Sequence, residues 1–541
     1  MSQPEEMSPL VGPDRRPRRR ARIHRVRNAL VMGLIVAGGV LAISQGQTAT
    51  ETSIEDIARI AAGEDLVPAA GIITEGIVPE VLGETITGSF DDSVFVDPEM
   101  VGVAPPTVFE GLLTFRGSPT RSFYGEGPIP ANPDVHWRYP QSGGLCASSA
   151  VGGQPRIWCG TGWTGQPSMF RLDGRLWAVF GALDGAVHFI DAETGDPLLP
   201  PFQTNDIIKG SVTIDPDGFP IVYVGSRDGG FRAIAFDGGQ PRELWRLDAD
   251  NGEPTKWNDD WDGAGLILDG YLLVGGENSR LHIVELNRDR GADDGLVTVA
   301  PELIFDVAGW DDQLLAEIGD ENVSIENSVT VTGDTLYFAN SGGLVQGWDL
   351  APLRSGGEPT RVFRYWVGDD VDATIVADAD GMLYVAAEYE RGTARADALG
   401  QLLKLDPSQA DDDALVWAVE EHQDVGTGIW GTPALHDNAV IFGSEGGRLR
   451  AVDQETGADL WSIDLGFHLW QSPVVVDDVL LMGDCSGTMH AFDVADVRRE
   501  PQTLWRLRLD DGCIESTPAV WDGMIVVGTR LGAVYGIGES G

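Results

Sequence analysis

The residues best equipped for chemistry are carboxylates and tryptophans that recur just ahead of small or proline-containing dipeptides. They are Trp163, Lys209, Trp257, Asp259, Asp260, Trp261, Asp262, Glu326, Asn327, Asp369, Asp370, Asp372, Trp430, Trp470, Gln471 and Glu515. Indole faces supply apolar area and attract cations, while carboxylates give direction, so these types together suit a cationic, sugar-like or peptide ligand. The densest stretch is KWNDDWDG over 256–263, echoed by WDD over 310–312. Glu326, Asn327, Asp370 and Asp372 offer the oxygen set that Ca²⁺ requires, although no twelve-residue calcium loop is present. The eight histidines show no metal-ligand spacing and no G-x-S-x-G elbow marks a nucleophile, so no catalytic residue is assigned.

These side chains need a scaffold that returns them to one place, and the sequence repeats accordingly. The dipeptides Gln166-Pro167, Gly210-Ser211, Ala264-Gly265, Asn327-Ser328, Ala373-Thr374, Thr432-Pro433, Ser472-Pro473 and Thr517-Pro518 recur at spacings of about 40 to 65 residues, the period of a blade. Each opens an apolar hairpin with an acidic or glycine turn, such as ALHDNAVIFGS (434–444) or VVVDDVLLMGD (474–484). A second turn and a third strand follow, and then a fourth strand bearing Trp245, Phe305, Phe363, Trp417, Trp461 or Trp505. Eight entries predict an all-β, eight-bladed propeller of four-stranded antiparallel blades, with the recurring aromatics packed between blades. The last repeat has three strands, and VHWRY (135–139) carries the fourth-strand pattern, so this upstream segment is expected to close the ring. The entry loops then line the channel rim.

Cys146, Cys159, Cys485 and Cys513 make an even set in a chain read below as exported. Cys485 lies in a second-to-third-strand turn and Cys513 just before the next first strand. Both connections emerge on one face, which predicts disulfides Cys485–Cys513 and Cys146–Cys159.

IDAETGDPLL (190–199) and VDQETGADLW (452–461) resemble the A-x-D-x-x-T-G-x-x-x-W repeat of the pyrroloquinoline-quinone-like (PQQ-like) propellers. The resemblance covers residues 115–541 and implies the same fold. That family includes calcium- and quinone-dependent alcohol dehydrogenases and a non-enzymatic propeller lipoprotein of outer-membrane protein assembly. The adjacent cysteine pair that covers the quinone in those enzymes has no counterpart here.

The N-terminus differs from the rest. Eight arginines between Arg15 and Arg27 face three acids in the first fifty residues, in a chain with 37 basic and 84 acidic residues and a net charge of −47. Ala29 to Ile43 follows without a charge. A basic flank before an apolar run holds the N-terminus in the cytoplasm and sends the remainder across the membrane. The expected organisation is a basic cytoplasmic tail (1–27), a transmembrane anchor or signal segment (28–45), an acidic linker (46–112) with ordered chain from Phe115, and the propeller (113–541). Acidity of this degree excludes nucleic-acid binding. The functional reading is a monomeric, membrane-tethered extracytoplasmic scaffold that binds or assembles envelope proteins or glycans without catalysis. The alternative is a quinone- or calcium-dependent oxidoreductase.

Overall fold

The structure, a computed structural model, describes residues 94–541 apart from 152, 163–164 and 251–253. The anchor or signal segment lies outside the described residues, and among those described no helix is long and apolar enough to cross a membrane.

Eight antiparallel sheets, with first strands beginning at Ser168, Thr213, Leu266, Thr330, Val376, Ala434, Val474 and Ala519, form the expected propeller. Pro133–Tyr139 pairs with Ala533–Glu539 and completes blade 8. The ring closes as the sequence predicts, and the Trp137 indole is buried and donates to the Ala192 carbonyl of blade 1 at 2.8 Å.

The repeat motif has a physical explanation at each position. In VDQETGADLW, Asp453 accepts from the backbone of Glu455 (3.2 Å) and Thr456 (2.9 Å) and from the Thr456 hydroxyl (2.8 Å), which folds the turn before the fourth strand. Gly457 follows at φ +71°, and a Cβ there would lie 2.8 Å from the Trp417 ring of the preceding blade. Trp461 stands directly opposite Ala451, and a β-bulge follows that pair. Small residues also face the aromatic at Ala233–Trp245, Gly347–Phe363 and Ala491–Trp505. The outer indole then reaches the next blade: Trp417 Nε1 donates to the Gln454 carbonyl (3.2 Å) and Trp461 Nε1 to that of Val497 (3.0 Å). Trp417 and Trp461 therefore each fill their own sheet and cap the next.

At the inner end, the Ser and Thr of the entry dipeptides form a belt from blade to blade. The Gln166 N–H donates to Ser211 Oγ (2.8 Å), Ala264 to Ser328 (2.9 Å), Ser328 to Thr374 (3.0 Å), Thr374 to Thr432 (3.0 Å) and Thr432 to Ser472 (2.9 Å).

The central channel is filled by residues 109–126. Gly111–Leu112 adds to the inner edge of blade 1, and Gly125–Glu126 runs parallel to the inner strand of blade 8. Between them, the carbonyls of Leu113, Pro119 and Thr120 accept from Ile214, Val331 and Ala377 on blades 2, 4 and 5. Thr114 Oγ1 reaches the Gly265 carbonyl of blade 3. Arg116 is wholly buried and donates to the carbonyls of Pro433 (2.8 Å) and Pro473 (2.9 Å) on blades 6 and 7. This plug touches every blade. Within the segment 46–112 that the sequence assigns to a linker, Phe95 and Val96 are buried, Val96 bridges Gly333, and Phe109 packs on Phe170.

Among the described residues, several excursions depart from the four-strand plan. The hairpin Cys146–Val151/Gln154–Cys159, the helix Asp312–Ile318 and the helix Ala394–Leu399 leave connections on the entry-loop face, whereas the hairpin Arg288–Arg290/Val297–Val299 lies on the opposite one. The cysteines pair as Cys146–Cys159 and Cys485–Cys513.

Candidate functional site

Above the plug, the entry loops and the second-to-third-strand turns surround a mouth whose floor includes Phe115. A cavity of about 10 Å³, room for roughly one water, is lined there by Phe115, Ser328, Asp372, Thr374, Trp430 and Thr432 among others.

One sector is built on Lys209. Its ammonium lies 3.0 Å from Asp260, 2.6 Å from Asp262 and 3.0 Å from Glu277. Burial pulls the Lys209 pKa down, but these carboxylates outweigh it and hold the amine protonated well beyond the usual lysine range. Burial likewise pushes Asp260 up to about 6 and Asp262 well above the carboxylate range, against the pull of Lys209. Arg227 lies 3.7 Å from Asp260, and Trp158 sits between the guanidinium groups of Arg227 (6.0 Å) and Arg530 (5.4 Å). Glu515 is buried 3.4 Å from Arg530.

The neighbouring sector has too many acids for its cations. Asp370 and Glu388 are buried and Asp372 and Glu326 half-buried, while Arg391 lies 3.7 Å from Asp370 and 3.8 Å from Asp369. Desolvation raises Glu326 to about 8 and Asp370 to about 7, and lifts Asp372 and Glu388 well above the ordinary range. Asp370 Oδ1 and Glu388 Oε1 are buried without a hydrogen-bond partner. The third sector is aromatic. Trp430 and Trp470 stack at 4.9 Å and 12°, His468 stacks on Trp470 at 5.6 Å, and Glu445 accepts from Trp470 Nε1 and pairs with His468.

Several residues expected at the rim have other tasks. Trp261 is fully buried against Phe231 (5.6 Å) and His282 (5.4 Å), because its indole turns into the core between blades 2 and 3. Asn327 donates to the carbonyls of Ala339 (3.0 Å) and Val371 (2.8 Å), and Gln471 accepts from the Gly483 N–H (2.8 Å). Both side chains tie loops to strands, and the Asn327 Oδ1 itself accepts from the Ala339 N–H at 3.3 Å. Trp257 is half-buried at φ +69° and Asp259 is exposed, while Trp163 lies outside the described residues. Glu277, Glu388, Arg391, Arg227 and Arg530 were absent from the expected set. They sit in second-to-third-strand turns, and the register that put Cys485 on this face also puts them there. His188 and His490 pair with Asp184 (3.1 Å) and Asp484 (2.8 Å) at matching places in third strands, which is blade geometry.

A pyrroloquinoline quinone carries three carboxylates on a rigid tricycle, and this mouth does not fit it. Among the described residues, the walls next to the cavity are crowded with carboxyl groups, and the cavity beside Phe115 is about 10 Å³, far smaller than a tricycle. Asp260, Asp262 and Glu277 converge closely enough to share a metal ion, but the Lys209 ammonium already lies among them.

Residues 400–541 match the family described as outer membrane protein assembly factor BamB. No match was found among curated proteins. Among solved structures, quinohemoprotein alcohol dehydrogenase from Comamonas testosteroni is similar at 14% identity and a TM-score of 0.51, covering 82% of each chain. BamB from Moraxella catarrhalis aligns at 16% identity over 76% of this chain and 97% of its own, with a TM-score of 0.35. The computationally designed Ika8 protein aligns at 15% identity over 69% and 95%, with a TM-score of 0.47. The chain is an eight-bladed propeller whose residues 400–541 are similar to that assembly-factor family, and the fold by itself does not fix a function.

Proposed function

We propose that this chain is a membrane-tethered, extracytoplasmic propeller that acts as a non-catalytic scaffold for envelope proteins or glycans and takes its partner at the mouth. The tether is the apolar run from Ala29 to Ile43 behind its arginines, with residues 1–27 cytoplasmic. One observation carries the binding reading: over a closed channel, the crowded carboxyl groups of Glu326, Asp370, Asp372 and Glu388 lie beside the stacked pair Trp430–Trp470. A basic side chain or an amino sugar would draw these carboxyl groups into their ionised form and lie against an indole face. Similarity of residues 400–541 to an assembly-factor family is consistent with such a role. The oxidoreductase alternative would require a tricyclic quinone to enter a cavity of about 10 Å³ beside Phe115.

The test is capture from envelope extract by the full-length protein and by a Trp430→Ala/Asp370→Asn double variant. Partners should be lost from the variant, and identical partner sets would remove the mouth as the site. Alkaline washing of membranes should leave the full-length chain in the pellet, and its release would remove the anchor.

A further inference from the structure

On the face opposite the mouth, two first-strand turns place a histidine and two aspartates together. We infer that His436, Asp437 and Asp478 form a binding site for a first-row divalent transition metal, bridging blades 6 and 7. The ligand atoms of the three side chains lie within 4.8 Å of one another. His436 Nε2 is closed to solvent and lies 3.3 Å from Asp478 Oδ1, yet it makes no hydrogen bond. A ring nitrogen directed at a carboxylate in this way fits a bridging metal. Imidazole with carboxylates selects zinc-like ions over the oxygen-only preference of Ca²⁺ and Mg²⁺. Three protein ligands leave a position for water, and the exposed Asp437 and Asp478 provide the entry path.

The site is held by rigid elements. Asp437 and Asn438 (φ +44° and +64°) form one tight turn, and Asp477 and Asp478 (+50° and +61°) form the other. The Asn438 carbonyl accepts from Gln454 and that of Asp478 from Val494, both at 2.8 Å, so each turn is fixed to its own blade. Tyr124 of the plug fixes the adjoining strand by accepting from the Leu435 N–H at 2.7 Å. Repetition does not account for His436, because the matching first-strand positions hold Thr332, Ala377, Val476 and Trp521. In that respect it differs from the third-strand histidines. His436 and Asp478 are one blade apart in sequence, and only the ring brings them together.

The experiment uses untagged full-length protein stripped with a chelator, with excess Mg²⁺ present to occupy ordinary acidic surface. Co²⁺ should bind in one equivalent with a ligand-field absorbance band, and Zn²⁺ should displace it. His436→Ala should weaken Co²⁺ binding by at least about tenfold and remove the band. Asp478→Asn should do the same, and because Asp478 is an exposed turn residue the metal-free melting temperature of that variant should stay at the wild-type value. Co²⁺ uptake without a band, or uptake unchanged in both variants, would overturn the site.

Discussion

Arg116 and Arg121 are fully buried with no carboxylate among their hydrogen-bond partners, and main-chain carbonyls do most of the work instead. Burial lowers the Arg116 pKa and draws Arg121 down to about 9. A lysine at 116 cannot span the carbonyls of Arg121, Pro433 and Pro473, because its donors radiate from one atom. Arg116→Lys should therefore strand buried acceptors and destabilise by about 2–3 kcal/mol in denaturant melts. A second prediction concerns Glu326, raised to about 8 chiefly by burial. The unfolded chain loses this proton near pH 4.3, whereas the folded chain keeps it to about 8, so the folded state binds more protons across that window. Its contribution to stability must fall as pH rises through the window and be at its worst above it. Glu326→Gln is isosteric and stays neutral, so it should melt above wild type at pH 8.5 and level with it at pH 4. A variant that melts below wild type at pH 8.5 would show that this carboxyl is not under strain from its neighbours.

At the scale of strands and turns, the aromatic of the fourth strand unites the repeat, and its parts separate by substitution. Trp461→Phe keeps most of the packing but loses the bond to the Val497 carbonyl, an expected cost of about 1 kcal/mol. Trp461→Ala should cost about 3–5 kcal/mol. Gly457→Ala should be more harmful than an ordinary turn substitution, since it combines φ +71° with a clash against Trp417. Equal unfolding midpoints for Trp461→Phe and Trp461→Ala would contradict this division. These elements were legible because each is local: period-two hairpins, acidic turns and an aromatic at a fixed offset appear in every repeat. The mouth was legible only in part. Reading the entry loops found Lys209, Asp260 and Asp370, but whether an indole faces the channel or the core depends on backbone geometry, and there Trp261 turned inward. Glu277 and Arg391 were missed for the converse reason, since they belong to turns that reach the same face from the other side of the strand.

For the whole molecule, a ring must be closed at its edge and filled at its axis, and the same N-terminal stretch does both. The closing strand could be read from VHWRY because it repeats a pattern found elsewhere. The plug repeats nothing, so only its aromatic and basic composition, in LTFRGSPTRSFYGEGP, set it apart. Its weight can be judged from what it buries: Phe109, Leu112, Leu113, Phe115, Phe123 and Tyr124, each contributing about 1.5–3 kcal/mol before the entropy of ordering is subtracted. That gross sum is comparable with the roughly 5–15 kcal/mol by which a domain is stable. Three chains starting at different residues make the test. A chain starting at Val94 retains strand and plug and should unfold in one cooperative transition. One starting at Asn132 retains the closing strand but empties the axis, leaving Ile214, Val331 and Ala377 without their acceptors. It should lose the cooperative transition or melt well below the first. One starting at Gly143 also exposes the edge of Ala533–Glu539, and should aggregate as unpaired strands do. If the chain from Asn132 melted as sharply and as high as that from Val94, the plug would be a passenger in a ring that stands by itself, and the mouth above it would lose its floor as a fixed feature.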